Sequence, residues 1–131
     1  MAALTSERDT PARASRDHAV AVTAGKTYWA GAILALDTAT GKGTPGATAT
    51  TLRALGRVRA TAGDGAALVT YERGVFRYAN SSAADAITAA DIGASAYMVD
   101  DQTVARTNGA NTRSVAGIIR DVDAMGVWIE F

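Results

Sequence analysis

The chain has 131 residues and a formal net charge of +0, thirteen Lys and Arg against thirteen Asp and Glu. That length favours one domain over two full cores, and the balance argues against a dedicated nucleic-acid binder or a polybasic membrane-surface protein, whose affinities rest on a cationic footprint. With no Cys, and with His18 as the sole histidine, a disulfide framework, a thiolate zinc site, a Cys nucleophile and a multi-histidine metal site are excluded within one chain.

Residues 1–17 mix charges of both signs with one proline and few bulky groups, and read as an extended arm or a disordered tail. They lack the apolar stretch of a signal peptide, and no apolar run reaches the roughly 20 residues of a membrane helix. A soluble protein of a reducing compartment is the class expected. From His18 the pattern changes, with Val20 and Val22 alternating as a half-buried strand requires. Residues 24–26 form a turn. Residues 27–36, mostly apolar and with Gly31 inside, form a second strand. Residues 37–49 are a Gly- and Thr-rich loop holding Pro45, for which no regular structure is expected. Residues 51–62 and 68–78 make a hairpin about Asp64-Gly65, a pair suited to a type I′ turn, and Gly74 marks a bulge in its second arm. Residues 79–93 are the helix candidate, with Thr88 and Asp91 at N-cap and N3 spacing and Gly93 as the stop. Residues 97–99 and 103–105 are short strands joined by a turn at Asp100-Asp101, and residues 107–112 are a polar loop. Residues 114–122 and 127–131 close as a hairpin, with Val127, Ile129 and Phe131 on one face and Trp128 and Glu130 on the other.

The fold expected is all-β: a small β-barrel or β-sandwich of about eight short strands, with one short helix and an extended N-terminal arm. The arm is residues 1–17, and the barrel-like domain is residues 18–131. Alanine supplies 30 of the hydrophobic residues and only 33 are bulky. Burying a bulky side chain gains about 1.5–3 kcal/mol while ordering each residue costs about 1.5 kcal/mol, so a core this lean favours a tight barrel, an oligomer, or both.

Chemical motifs are sparse. Ala24-Gly25-Lys26-Thr27 resembles the tail of a phosphate loop, but Val20 stands where that motif needs Gly. Asp121, Asp123 and Gly126 echo the start of a calcium loop, yet Met125 takes its fifth position and the twelfth falls beyond the sequence given. A Ser-His-Asp site has only His18 to use, and no serine stands in a nucleophile elbow. No catalytic residue, cofactor or metal site is expected. Charge is patterned: Arg53, Arg57, Arg59, Arg73 and Arg77 gather on the central hairpin, and Asp85, Asp91, Asp100 and Asp101 follow it. The pattern reads as an intramolecular charged surface, or as basic and acidic patches meeting between copies. On the second reading Arg57, Arg59, Arg73, Arg77, Asp100 and Asp101 are the subunit-interface candidates. Tyr28 and Trp29 suit a packed barrel interior first and a subunit interface second, because aromatic burial dominates small cores.

Four strings resemble a known family: Arg73-Gly-Val-Phe-Arg-Tyr-Ala-Asn80, Thr88-Ala-Ala-Asp-Ile-Gly93, Tyr97-Met-Val-Asp-Asp-Gln-Thr-Val-Ala105, and Ala116-Gly-Ile-Ile-Arg-Asp-Val-Asp123 with Val127-Trp128. They look like the capsid cement or head decoration proteins of tailed bacteriophages, over residues 18–131. The resemblance implies a structural, non-enzymatic protein made in the bacterial host cytoplasm. It would sit as a homotrimer on the capsid exterior and brace the major capsid protein lattice, with no nucleic-acid or membrane partner and no catalytic residue. The arm would contact the capsid through Leu4, Arg8, Arg13 and Arg16, so deleting residues 1–16 would leave the fold intact and weaken binding. The alternative is a carbohydrate-binding or adhesive β module on the virion surface, marked by exposed aromatic side chains on one face.

Overall fold

A computed structural model describes Ala3 and residues 5–131. It is all-β, and its ten strands form two units that share a wall. Strands β1 (His18–Ala21), β2 (Ile33–Asp37), β3 (Lys42–Pro45), β4 (Leu52–Val58) and β5 (Leu68–Glu72) make one sheet in the order β1-β5-β4-β2-β3. It curls until its edges touch at a bridge between Val22 and Gly43. Strands β6 (Val75–Asn80), β7 (Ser95–Met98), β8 (Thr103–Ala105), β9 (Val115–Asp123) and β10 (Gly126–Glu130) form a closed barrel in the order β10-β6-β8-β7-β9. All of its pairings are antiparallel except β6 with β8.

The wall is β2 and β4. Ile33 and Ala35 face the barrel core with Met98, Val104, Ile119, Val127 and Ile129, whereas Leu34 faces the other core with Tyr28, Val58 and Val69. A strand buried on both faces has no polar side to alternate with, which is why residues 33–36 read as an unbroken apolar run. β4 serves both cores through a bulge. Leu34 pairs with Gly56 and Ala35 with Ala54, leaving Leu55 as the extra residue. Leu52 and Ala54 therefore pack on the barrel core, and Leu55 and Val58 on the other.

Several expectations are corrected. The second strand begins at Ile33, not at residue 27, because residues 28–32 form a locked turn in which the Gly31 amide donates to the Val58 carbonyl at 2.9 Å. Tyr28 is interior as expected, at 0% exposure. Trp29 is not: it stands 62% exposed. The loop expected over residues 37–49 contains β3, an edge strand whose Gly43 sits against Val20 and whose Pro45 is tolerated because a sheet edge needs no donor there. Asp64-Gly65 is a turn, but only Gly65 has positive φ, so it is not type I′. β4 and β5 are joined by residues 59–67 rather than by residues 63–67 alone. Gly74 is the break that sends β5 to the sheet and β6 to the barrel, not a bulge in one arm. Arg77 therefore lies on the barrel, apart from the central hairpin.

The short helix is replaced by two single 3-10 turns, Ala83–Asp85 and Ala89–Asp91. The Asn80 side chain accepts from the Ile87 amide at 2.9 Å and donates to its carbonyl at 2.8 Å, so it pairs with that backbone as a strand would and draws Ile87 into the barrel. The Thr88–Asp91 box does form, capping a turn only three residues long.

Candidate functional site

The sequence between Tyr28 and Ala32 sets up the site. Tyr28 is the anchor: its hydroxyl donates to the Gly43 carbonyl at 2.7 Å and accepts from the Thr23 amide at 2.9 Å. The chain then turns sharply, with the Ala30 amide donating to Thr61 Oγ1 at 3.0 Å and the Ala32 amide to the Trp29 carbonyl at 3.0 Å. Gly31 makes the turn possible, since its φ of +93° lies where a side chain is strained. Trp29 is thereby held outward on a fixed backbone.

Three concavities, of about 500, 450 and 400 Å³, all include Gly31 in their walls. Arg57, Arg59 and Arg77 line them with Trp29, Trp128 and Phe76. The Arg57 guanidinium lies 4.1 Å from the centre of the Phe76 ring, and that of Arg77 lies 5.6 Å from the Trp128 ring. Glu72 is the carboxylate at the centre of this cluster, only 6% exposed. Arg57 Nε donates to it at 3.1 Å and Arg57 Nη2 bonds the same oxygen, while Arg16 Nε meets the other oxygen at 3.1 Å. Arg59 donates to the Arg16 carbonyl instead. Three guanidiniums thus surround one carboxylate, and the cluster is left cationic.

The hydrogen bond from Arg57 holds the Glu72 carboxyl below its ordinary 4.5. Burial pushes the other way, and the charges of Arg57, Arg16 and Arg59 add to the lowering. A carboxyl with a depressed folded-state pKa contributes stability that is full above pH 4.5 and lost as pH falls through the lower folded value. Glu72→Gln is expected to cost about 1–2 kcal/mol at neutral pH, discounted because both arginines are partly solvated. The gap between variant and wild type closes below that window, as urea melts across pH will read.

The interface candidates fall in different places. Arg57 is paired within the chain. Arg59, Arg73 and Arg77 are exposed and make no ion pair among the described residues. Arg73 lines a separate groove of about 770 Å³ with Arg53, Val115 and Phe131. Asp100 and Asp101 form the turn between β7 and β8, and Asp101 lines one concavity with Trp29 and Arg77. The acids that follow the hairpin do find cations, Asp85 with Arg113 and Asp91 with Arg106. The Thr107 hydroxyl lowers the Asp85 carboxyl, and the Thr88 amide that of Asp91. Of the arm residues, Arg8 and Arg13 are exposed and Arg16 is tied to Glu72, while Leu4 lies outside the described residues. His18 stacks on Tyr71, its partner across β1 and β5, with ring centres 5.3 Å apart.

Sequence reasoning missed Tyr78. Its hydroxyl is buried without a hydrogen-bond partner among the described residues, and burial pushes its pKa well up. Tyr78→Phe removes an unsatisfied polar atom and is expected to leave the melting temperature unchanged or raise it slightly. A drop of several degrees in calorimetry would contradict that account.

Among the described residues no cluster of His, Asp and Glu is placed to hold a metal ion, and no helix is long and apolar enough to cross a membrane. Comparison with protein-family models, with curated proteins and with solved structures finds no match to the chain.

Proposed function

We propose that this chain is a structural capsid decoration (cement) protein. Made in the bacterial host cytoplasm, it binds the outside of a phage head as a homotrimer and stabilises the major capsid protein lattice without catalysis. The observation that carries the reading is the arm. Residues 5–14 are exposed and outside any strand, yet the segment just after them is clamped: the Arg73 amide donates to the Ser15 carbonyl at 3.1 Å, and Arg16 is held by Glu72 and Arg59. A free segment with a fixed point of departure is what a protein needs to reach across a seam to a neighbour. The family resemblance supports the same conclusion. Each contact need not be strong, because a trimer engages several capsid subunits at once and effective concentration multiplies the affinity.

The test is to mix the purified protein with expanded, undecorated heads and image them by electron microscopy. The intact chain is expected to saturate the lattice. A chain lacking residues 1–14, which keeps the clamped base, is expected to fold normally and bind at least about tenfold more weakly. Equal saturation by the shortened chain would refute the role of the arm.

One observation favours the alternative of a carbohydrate-binding module: the exposed Trp29, since sugar rings stack on such faces. A glycan array without binding would remove it.

A further inference from the structure

We infer that the face around Gly31 is a docking surface for an acidic segment of a partner polypeptide, whose carboxylates pair with Arg59 and Arg77 while its apolar side chains cover Trp29. The inference rests on the reading that the protein works by attaching to another protein, and adds the face and the chemistry it selects.

The rigidity of Trp29 is the first ground. A tryptophan that is 62% exposed leaves a large apolar surface in water, which no described residue covers. Its turn is fixed at both ends: the Tyr28 amide donates to the Ala62 carbonyl at 2.8 Å, and the Gly31 amide to that of Val58. An aromatic group presented on an ordered backbone loses little entropy on binding, as interface anchors require.

Charge is the second ground. Around this anchor Arg16 and Arg57 share one carboxylate, Arg59 bonds only the Arg16 carbonyl, and neither Arg59 nor Arg77 makes an ion pair among the described residues. The Arg77 guanidinium rests over the Trp128 ring, which orients its fork without neutralising it. Planar guanidiniums held in this way match carboxylates bidentately. Phosphate is a poorer match. Glu72 and Asp101 lie within the same face and would repel a continuous anionic backbone. Spaced acidic side chains on a polypeptide can meet Arg59 and Arg77 and leave Asp101 free to accept a backbone N–H.

The test uses the full chain and a fluorescein-labelled glutamate-rich peptide with interspersed leucines as probe, read by anisotropy at low salt. A thymidine oligonucleotide of equal charge and chitohexaose serve as comparators. The peptide is expected to bind, to weaken steeply as salt is added, and to lose about tenfold or more in affinity with either Trp29→Ala or Arg77→Glu. Both residues are exposed, so circular dichroism is expected to show an unchanged fold; should either variant misfold, Arg77→Gln replaces it. Arg53→Glu, in the separate groove, is expected to change affinity by less than about twofold. The inference is overturned if the peptide does not bind, if both face variants bind it as wild type does, or if the oligonucleotide or the sugar binds more tightly through the same residues. The same variants on expanded heads separate this inference from the decoration reading. Heads that take up the variants as well as wild type refute the face and leave decoration standing. Peptide binding lost in the variants, with no wild-type binding to heads, upholds the face and refutes decoration.

Discussion

Leu34→Ala is expected to be the most damaging single truncation, lowering stability by about 2–5 kcal/mol and the melting temperature by roughly 10 °C or more. Leu34 is fully buried and packs with Tyr28, Val58 and Val69, a small cluster with few other bulky groups to close the cavity. Ile33→Ala, one residue earlier on the opposite face of β2, empties the barrel core instead. Because both cores lean on the same strand, each variant is expected to shift one common unfolding transition. Two separated transitions in scanning calorimetry, with each variant moving only one, would show that the units unfold independently.

Gly56→Ala is the second. A Cβ at Gly56 would overlap the carbonyl oxygen of Glu72 and lie 3.0 Å from its carbonyl carbon, with the Tyr71 ring at 3.3 Å. The atoms in the way are backbone of the neighbouring strand, so β4 and β5 must part for the methyl group to fit. Pairing between them is limited to Arg57 with Glu72 and Val58 with Tyr71, which leaves little ladder to resist that movement. The expected cost is about 3 kcal/mol. It brings a second effect: displacing Glu72 loosens Arg57 and Arg16, so limited proteolysis near residue 16 is expected to quicken. A variant as stable and as protease-resistant as wild type would show that the strands absorb the change.

The barrel half was well legible in the sequence. Thr103–Ala105 is a strand at the bounds expected of it, and the closing hairpin differs by a residue or so at its ends. The last strand buries Val127 and Ile129 and leaves Trp128 and Glu130 partly exposed, so period two is written plainly into it. The first half was harder for physical reasons. β3 carries Lys42, Gly43, Thr44 and Pro45, none of them a bulky apolar residue, because it lies at an edge and packs through a glycine. The apolar run that includes Tyr28 and Trp29 concealed a turn, since only the tertiary fold decides that one aromatic goes in and its neighbour out. The helix expected over residues 79–93 lost to Asn80, whose two hydrogen bonds to Ile87 no local pattern announces. The candidate site was half visible. The arginines stood out by count, but Glu72, the carboxylate that holds Arg57 and Arg16, comes beside Arg57 only through the pairing of β4 with β5.

The placement of β10 between β6 and β9 has a kinetic consequence. β6 is made nearly fifty residues earlier, and until Gly126–Glu130 emerges it has only its short parallel contact with β8 for a neighbour. The nascent chain therefore carries an open β edge through much of its synthesis. Maturation on the order of milliseconds to seconds after the last strand emerges is expected for so non-local a topology. During that interval a crowded pool of unfinished molecules is most exposed to pairing with one another.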